Sequence, residues 1–573
     1  MPSANGMPVD KSEAFAKIEI CHENGWTKAT FPCATAWFKG NLQIDGRCAQ
    51  GSEAAKHLVE ILTGLSAADM GKVLRTVDGH FALACEWKTG TVLAAVDRMR
   101  TIPLAYALGP RYWIVDDQAL RLQRSVGAEE PDPQASLEFA MAGYTLGRDS
   151  LFKNIKQLQT GELIVFEPNS VPVMHRYDIY RAWNVERTLS RDDWLHELKS
   201  VTSTVFTKLA ESLNGRRVLL PLSAGLDSRL VASGLKQVGY DNVQCYAYGV
   251  DGNFEAAASR EIASRLGYPW TFVPYTRSAV SACSATAEFR RYLDFAETLS
   301  AVPFVQDFMA VRNLRNKGLV PDDAVFINGN SGDFISGGHI QPQMFKSRHD
   351  LDARELRQLI VDTILTKHFS LWEDLLTEEN RQRVQHRLQD LIDMCEPEKL
   401  GGETAHGFYE SLEFESRQSK YVIAGQRVYE FFGYDWRLPL WDGKYLDFWS
   451  RVPLEHKIEQ NLYTDFLKSA NWGGVWKDYT PQRWVSPNWV RPLRFACKLT
   501  CLPAGRNQWH KIEKRLFSYF TDILCTHANV PVPYWRFLAS TRGPRHSMAF
   551  RCEDYLLRKG RNLDGSRSSR SLP

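Results

Sequence analysis

Apolar residues from Val218 to Leu222 form a run short enough for a buried parallel strand, and it stops at the small residues Ser223-Ala224-Gly225. From Arg229 onward, Leu230, Val231, Gly234, Leu235 and Val238 recur at helical spacing, which predicts strand, small-residue loop and helix in that order. Val243 to Tyr248 is a second apolar run, closed by Gly249; Phe254, Ala258, Ile262 and Leu266 then stand four apart on a second predicted helix, and Trp270 to Pro274 reads as a third strand. This alternation predicts a parallel α/β sheet with right-handed crossovers, whose ligands lie at the carboxyl ends of its strands.

Ahead of that unit the pattern is antiparallel. Phe81, Leu83, Cys85 and Trp87 alternate with smaller or polar neighbours, Lys88-Thr89-Gly90 turns the chain, and Val92 to Val96 returns, which predicts a hairpin. Tyr112 to Val115 and Leu163 to Phe166 are further strands, and Lys153 to Leu158 leads to a turn at Thr160-Gly161. An antiparallel α+β domain over residues 14–185 is therefore expected before an α/β domain over residues 190–550. The length of 573 residues fits two domains or more.

Composition narrows the partners. Apolar residues at 44% and charged residues at 24% are ordinary for a folded protein. A formal charge of +3, with no basic cluster before the extreme C-terminus, argues against nucleic acid as a partner. Arg558, Lys559, Arg561, Arg567 and Arg570 lie among Gly and Ser in residues 558–573, which are expected to form a disordered basic tail. Eleven Cys without a Cys-x-x-Cys pair suit a reducing compartment better than a disulfide or zinc framework. The first thirty residues show no signal peptide, and no apolar run approaches the roughly 20 residues of a membrane helix. A cytoplasmic protein with no membrane span is expected, and a homodimer is left open. Trp476, Trp484, Trp489, Trp509 and Trp535 recur among helical patterns to which the sequence assigns no task.

The chemistry concentrates in two loops. A strand-to-helix turn aims unpaired backbone N–H groups and the positive end of a helix dipole at its occupant, so Leu222, Ser223, Ala224, Gly225, Leu226, Asp227 and Ser228 are read as a phosphate-binding loop. Asp227 would repel phosphates unless a cation lay between, which makes it a candidate Mg²⁺ ligand. Tyr248 and Gly249, at the next strand end, are placed to line an adenosine pocket. The loop lacks the Gly-Lys-Ser/Thr of a Walker A sequence. In the second loop the short strand Val325-Phe326-Ile327 runs into Asn328-Gly329-Asn330-Ser331-Gly332-Asp333. Gly329, Asn330, Ser331 and Gly332 are further nucleotide-binding candidates, and Asp227 with Asp333 can clamp Mg²⁺ against a triphosphate.

Residues 223–228 resemble the Ser-Gly-Gly-x-Asp-Ser pyrophosphate loop of the ATP pyrophosphatase superfamily, with Ala224 for its first glycine. Residues 325–338 resemble the second loop of asparagine synthetases, Ser-Gly-Glu-Gly-x-Asp-Glu-x-x-x-Gly-Gly, with Asp333 in the place of the Mg²⁺-binding Asp. The stretch 431–442 is similar to that family's Glu-x-Arg-x-Pro-Phe-x-Asp, which makes Asp435, Arg437 and Asp442 a structural charge set. Asp78-Gly79-His80-Phe81-Ala82-Leu83, Asp97-Arg98 with Ile102-Pro103-Leu104, and Leu151-Phe152-Lys153-Asn154-Ile155 resemble segments of its N-terminal glutaminase domain. The resemblance to asparagine synthetases spans about residues 30–470. It implies an Ntn-type antiparallel domain followed by a parallel-sheet ATP pyrophosphatase domain under a helical layer. It also implies adenylation of a small-molecule carboxylate by ATP·Mg²⁺ and amide formation with release of AMP.

Four departures matter. Members that hydrolyse glutamine expose an N-terminal Cys, whereas this chain begins Met1-Pro2-Ser3, and the family's Asn-Gly-Glu glutamine pocket is reduced to Lys39-Gly40-Asn41. The amine is thus expected to be ammonia or a substrate amine, and the N-terminal domain to be retained for packing. Asn330 replaces the family's proton-handling Glu, and Thr464 stands where the catalytic Lys of Lys-x-x-Leu-Arg-x-Ala belongs, which leaves Lys457 and Lys468 as candidate catalytic stand-ins. Two alternatives stay open. One is an ATP-binding pseudoenzyme; the other is a different ATP pyrophosphatase such as an RNA-thiolation enzyme, which would want an activated Cys and a basic RNA surface.

Overall fold

A computed structural model describes residues 15–20, 25–346, 349–477, 489–501, 503, 505–521, 532–545 and 547–560. Pro2, Ser3, Cys21, Trp484 and residues 561–573 of the expected tail lie outside the described residues.

The N-terminal region contains two sheets. Strands β1 (Phe15–Ile18), β2 (Thr27–Thr30), β3 (Ala34–Ile44), β4 (Arg47–Gln50), β5 (Gly79–Trp87), β6 (Val92–Val96), β7 (Ala105–Leu108), β8 (Tyr112–Asp116), β9 (Ile155–Gln157), β10 (Glu162–Phe166) and β11 (Val173–Arg176) follow in chain order. The larger sheet runs β11-β10-β6-β5-β3-β2, with β4 on β3, and the smaller runs β1-β8-β7-β9. The expected hairpin is β5–β6, closed where Gly90, at φ +86°, donates to the Trp87 carbonyl at 2.9 Å. Alternation splits the residues of the larger sheet. Phe38, Leu42, Leu83 and Leu93 pack under the helices Gly51–Leu62 and Ala67–Thr76, while Trp37, Ala84, Ala94 and Ile164 face a second core shared with the smaller sheet.

The third sheet is parallel and carries the predicted strands β12 (Val218–Pro221), β13 (Val243–Gly249) and β14 (Trp270–Pro274), joined by β15 (Val325–Ile327) and β16 (Asp435–Arg437). Its order is β14-β13-β12-β15-β16. The chain winds outward from β12 to β14, then returns to the other side of β12, so the loops after β12 and β15 meet at the switch point, where such sheets bind ligands. The expected helical layer is present: Leu356, Ile360, Leu388 and Phe408 form a core with Phe139 of the N-terminal region and Phe550 of the last helix.

The structure revises several details. The helix Phe254–Leu266 buries Ala256, Ser259, Ile262, Ala263 and Leu266, so its inner stripe is turned by about one residue and Ala258 is only half-buried. The start of the expected tail is ordered: Arg558 ends the helix Ser547–Arg558, and Lys559 pairs with Glu297 at 3.1 Å. Asp435 and Arg437 pair at 3.0 Å as expected, but Asp442 goes to Lys208 at 3.1 Å. Trp476 is a buried anchor, donating to Ser233 Oγ at 3.2 Å under the Arg229 guanidinium. Basic residues do cluster, in the helical pair Val490–Cys501 and Arg506–Thr521. No helix among the described residues is long and apolar enough to cross a membrane.

Candidate active site

The loop after β12 is shaped by its own serines. Ser228 Oγ accepts from the Ser223 N–H at 3.0 Å and lies 2.9 Å from Ser223 Oγ, which accepts from the Gly225 N–H at 3.1 Å. Gly225 caps the helix Leu226–Gln237, so the free N–H groups of its first turn face the cleft beside Asp227. Buried Arg229 braces the loop from behind, donating to the carbonyls of Ala224 and Val475, each at 3.2 Å.

The loop after β15 lies directly against it. An added Cβ on Gly329 would stand 2.8 Å from the Ser228 nitrogen, and one on Gly332 would stand 2.5 Å from Asp227 Oδ1, so only glycine permits this approach. Ser331 takes φ +72° ahead of the short helix Gly332–Ile335, and the Asp333 N–H is thereby turned onto Asp227 Oδ2 at 2.9 Å.

Between the loops opens a cleft of about 660 Å³. Of the expected nucleotide contacts, Leu222, Ser223, Gly225, Leu226, Asp227, Ser228, Tyr248, Gly329, Asn330 and Ser331 line it, as does Asp333. Ala224, Gly249 and Gly332 do not: the Ala224 methyl is buried behind the loop, and Gly332 is spent on contact with Asp227. The Tyr248 hydroxyl donates to buried Asp307 at 2.5 Å, and its ring stacks on Tyr275 with centroids 4.9 Å apart, which fixes one aromatic wall.

The cleft residues that the sequence did not reveal supply the positive charge. His339 Nε2 lies 3.1 Å from Asp333 Oδ2, its Nδ1 bonds buried Glu413, and Arg417 and Gln418 stand beside it. Burial raises the Asp227 carboxyl, and the nearby Asp333 charge adds to this, to about 8. Burial would raise Asp333 too, but hydrogen bonding and charge from His339, with Arg417 behind, hold it below its ordinary value. His339 rises to about 9 because Glu413 and Asp333 outweigh its burial. His339 was within reach of a closer sequence reading, since it follows Gly337-Gly338 of the second loop. Arg417 and Tyr463, whose hydroxyl lies 3.2 Å from Asp227 Oδ1, come from distant helices and carry no motif.

The two lysines expected to act in catalysis are placed elsewhere, and neither lines the cleft. Lys457 is fully buried, with Nζ 2.8 Å from fully buried Glu410. Lys468 is exposed on the helix Asn461–Ala470, and Thr464 Oγ1 turns back to the Asn461 carbonyl at 3.2 Å.

No cluster of three or more His, Cys, Asp or Glu suited to a metal occurs among the described residues. The donor set fits Mg²⁺ brought in on phosphates: Asp227 and Asp333 both line the cleft and offer hard oxygens there.

No curated protein matches the chain. Residues 212–478, from the end of the helix before β12 to just beyond Trp476, match the family model for asparagine synthase. That region, which holds both loops and the whole cleft, is similar to asparagine synthase domains.

Proposed function

We propose that the protein adenylates a small-molecule carboxylate with ATP and passes the acyl group to ammonia or a substrate amine, not to glutamine nitrogen. ATP-dependent amide synthesis is the general chemistry of asparagine synthase domains. The observation that carries the finer reading is the meeting of Asp227 and Asp333 at one end of a single cleft. In the first step a substrate carboxylate oxygen attacks the α-phosphorus, and the bond to the bridging oxygen breaks to release pyrophosphate. In the second the amine attacks the acyl carbon, the bond to the adenylate oxygen breaks with its electron pair on AMP, and the nitrogen gives up a proton.

Mg²⁺ held by Asp227 and Asp333 would neutralise charge on the leaving pyrophosphate. The first-turn N–H groups of the helix Leu226–Gln237, with the Ser223 and Ser228 hydroxyls, bind and orient the phosphates. Tyr248 lines the nucleoside end. Arg417 and His339, beside Asp333, supply to the cleft the positive charge that Thr464 cannot. By analogy with divergent sequences of this kind, the carboxylate is a sugar acid such as a uronic acid, amidated in polysaccharide or secondary-metabolite biosynthesis. Ammonia is favoured because Lys39, at the remnant of the glutamine pocket, is committed to Glu430 at 2.9 Å.

One observation favours a second reading, an ATP-binding pseudoenzyme: Asn330 and Thr464 replace two groups of the amide-forming step. The deciding experiment supplies ATP, Mg²⁺, ammonia and a panel of aspartate and uronic acids, and measures pyrophosphate, AMP and amide. Equal amounts of the three with one acid support the synthetase. ATP binding by calorimetry with no turnover on any acid selects the pseudoenzyme, and no ATP binding overturns both.

A further inference from the structure

The C-terminal helical pair, outside the asparagine synthase region, turns an apolar face outward. On the helix Val490–Cys501, Val490 joins Trp509 and Phe517 in a small core, with Cys497 and Cys501 packed against it. At 3.6 residues per turn the opposite side carries Pro492, Phe495, Ala496 and Leu499. Phe495 is 63% exposed, Leu499 49%, and the flanking Leu493 and Trp489 are 54% and 57% exposed. Side chains of this size rarely stand together in water without a partner.

Charge says which partner. Residues 489–521 hold seven Lys and Arg against one Glu, a surplus of six positive charges in a chain whose formal total is +3, so the remainder is net negative. Arg491 and Lys498 are exposed along one edge of the apolar face, and Arg506, Lys511 and Arg515 are exposed on the neighbouring helix. Apolar side chains directed outward beside a cationic margin are the pattern of a helix lying in a lipid–water interface. At about 18 Å its 12 residues are too short to span a bilayer. A second copy of the chain fits less well, because a two-fold interface would bring two cationic margins together. A nucleic acid would leave the apolar residues without a partner.

We propose that the helix Val490–Cys501 docks the protein on an anionic lipid surface, with Phe495 and Leu499 entering the headgroup region and Arg491 and Lys498 engaging lipid phosphates. The test is co-sedimentation of the full chain with phosphatidylcholine vesicles, with and without about a third phosphatidylglycerol. The protein is expected to bind the anionic vesicles, more weakly as salt rises, and to bind neutral vesicles poorly. Phe495→Ser/Leu499→Ser should lower the partition coefficient at least about tenfold. Arg491→Gln and Lys498→Gln should lower it roughly fivefold each. Equal binding to both vesicle types, or wild-type binding by the Ser variant, would overturn the proposal. So would a dimer that the Ser variant abolishes without vesicle binding, which would give the face to a second copy. Heparin binding that survives the Ser substitutions, again without vesicle binding, would overturn it in favour of a polyanion. If a variant fails to fold, the wild-type comparison between the two vesicle compositions still decides.

Discussion

The backbone N–H of Asp333 donates a 2.9 Å hydrogen bond to Oδ2 of Asp227. Two acids from loops 106 positions apart are thereby held as one unit, with the Tyr463 hydroxyl on the other oxygen of Asp227. This contact turns two separate strand-to-helix turns into one site. Asp227→Asn keeps an acceptor for the Asp333 N–H while removing the charge, so the fold should survive. Pyrophosphate release should fall at least about a hundredfold, because a metal ligand is lost. Initial-rate measurements across a Mg²⁺ series check this; unchanged rates would remove Asp227 from the metal site.

The close approach of the loops gives a steric prediction. Gly329→Ala places a methyl 2.8 Å from the Ser228 nitrogen and 2.9 Å from the Asp227 carbonyl carbon, both backbone atoms that cannot swing away. The loops must separate, at a cost of about 1–3 kcal/mol. Calorimetry should find weakened ATP binding.

Arg417 lines the cleft and is expected to bind the substrate carboxylate. Arg417→Gln should raise the KM for the carboxylate and leave ATP affinity within about twofold, since the phosphate loop is untouched. Calorimetric titration with ATP alone, beside steady-state kinetics, separates the two effects. A loss of ATP affinity equal to the loss of activity would place Arg417 at the nucleotide instead.

Lys457 yields a stability prediction. It forms a fully buried pair with Glu410, so Lys457→Met strands a buried carboxyl and should destabilise by about 3–5 kcal/mol. Lys457→Met/Glu410→Leu should recover most of that in thermal unfolding. A single variant with wild-type stability but no turnover would return Lys457 to the catalytic list.

Lys420 sets a pH dependence. Its Nζ donates to the carbonyls of Thr145 and Gly147, each at 2.7 Å, tying the helical layer to the N-terminal region. Burial, with nearby Arg100 adding to it, pulls the Lys420 ammonium from 10.5 down to about 7. Between those values the unfolded chain holds a proton the folded chain lacks. The penalty is therefore absent above 10.5, grows as pH falls, and is complete below about 7. Stability should rise by up to about 1.4 kcal/mol per pH unit across that window, and this component should vanish in Lys420→Met. Denaturant unfolding at several pH values reads the difference between the two slopes.

The glutaminase departures were legible because that chemistry needs particular groups at particular places. Lys39-Gly40-Asn41 departs visibly from the family's Asn-Gly-Glu, but the partner of Lys39 was not written locally: Glu430 lies 391 residues away. Lys457 and Lys468 illustrate the opposite limit. Both stood near Thr464 in sequence, yet nearness along the chain does not say which side chain faces a cleft, and one is buried in an ion pair while the other is in water.

By itself the sequence determined what local rules govern. Apolar runs made β12, β13 and β14, small residues made the two loops, and Ser223, Asp227 and Asp333 marked where phosphate and metal chemistry could occur. Only the tertiary structure decided that β15 lies beside β12, which is what lets Asp227 and Asp333 meet, that Arg417 arrives from a distant helix to line the cleft beside His339, and that Tyr463 arrives from another to brace Asp227. The physical reason is the range of the forces. Backbone conformation follows from neighbours a few residues away, whereas the pairing of charges and the closing of a cleft depend on which distant surfaces the burial of apolar side chains brings together.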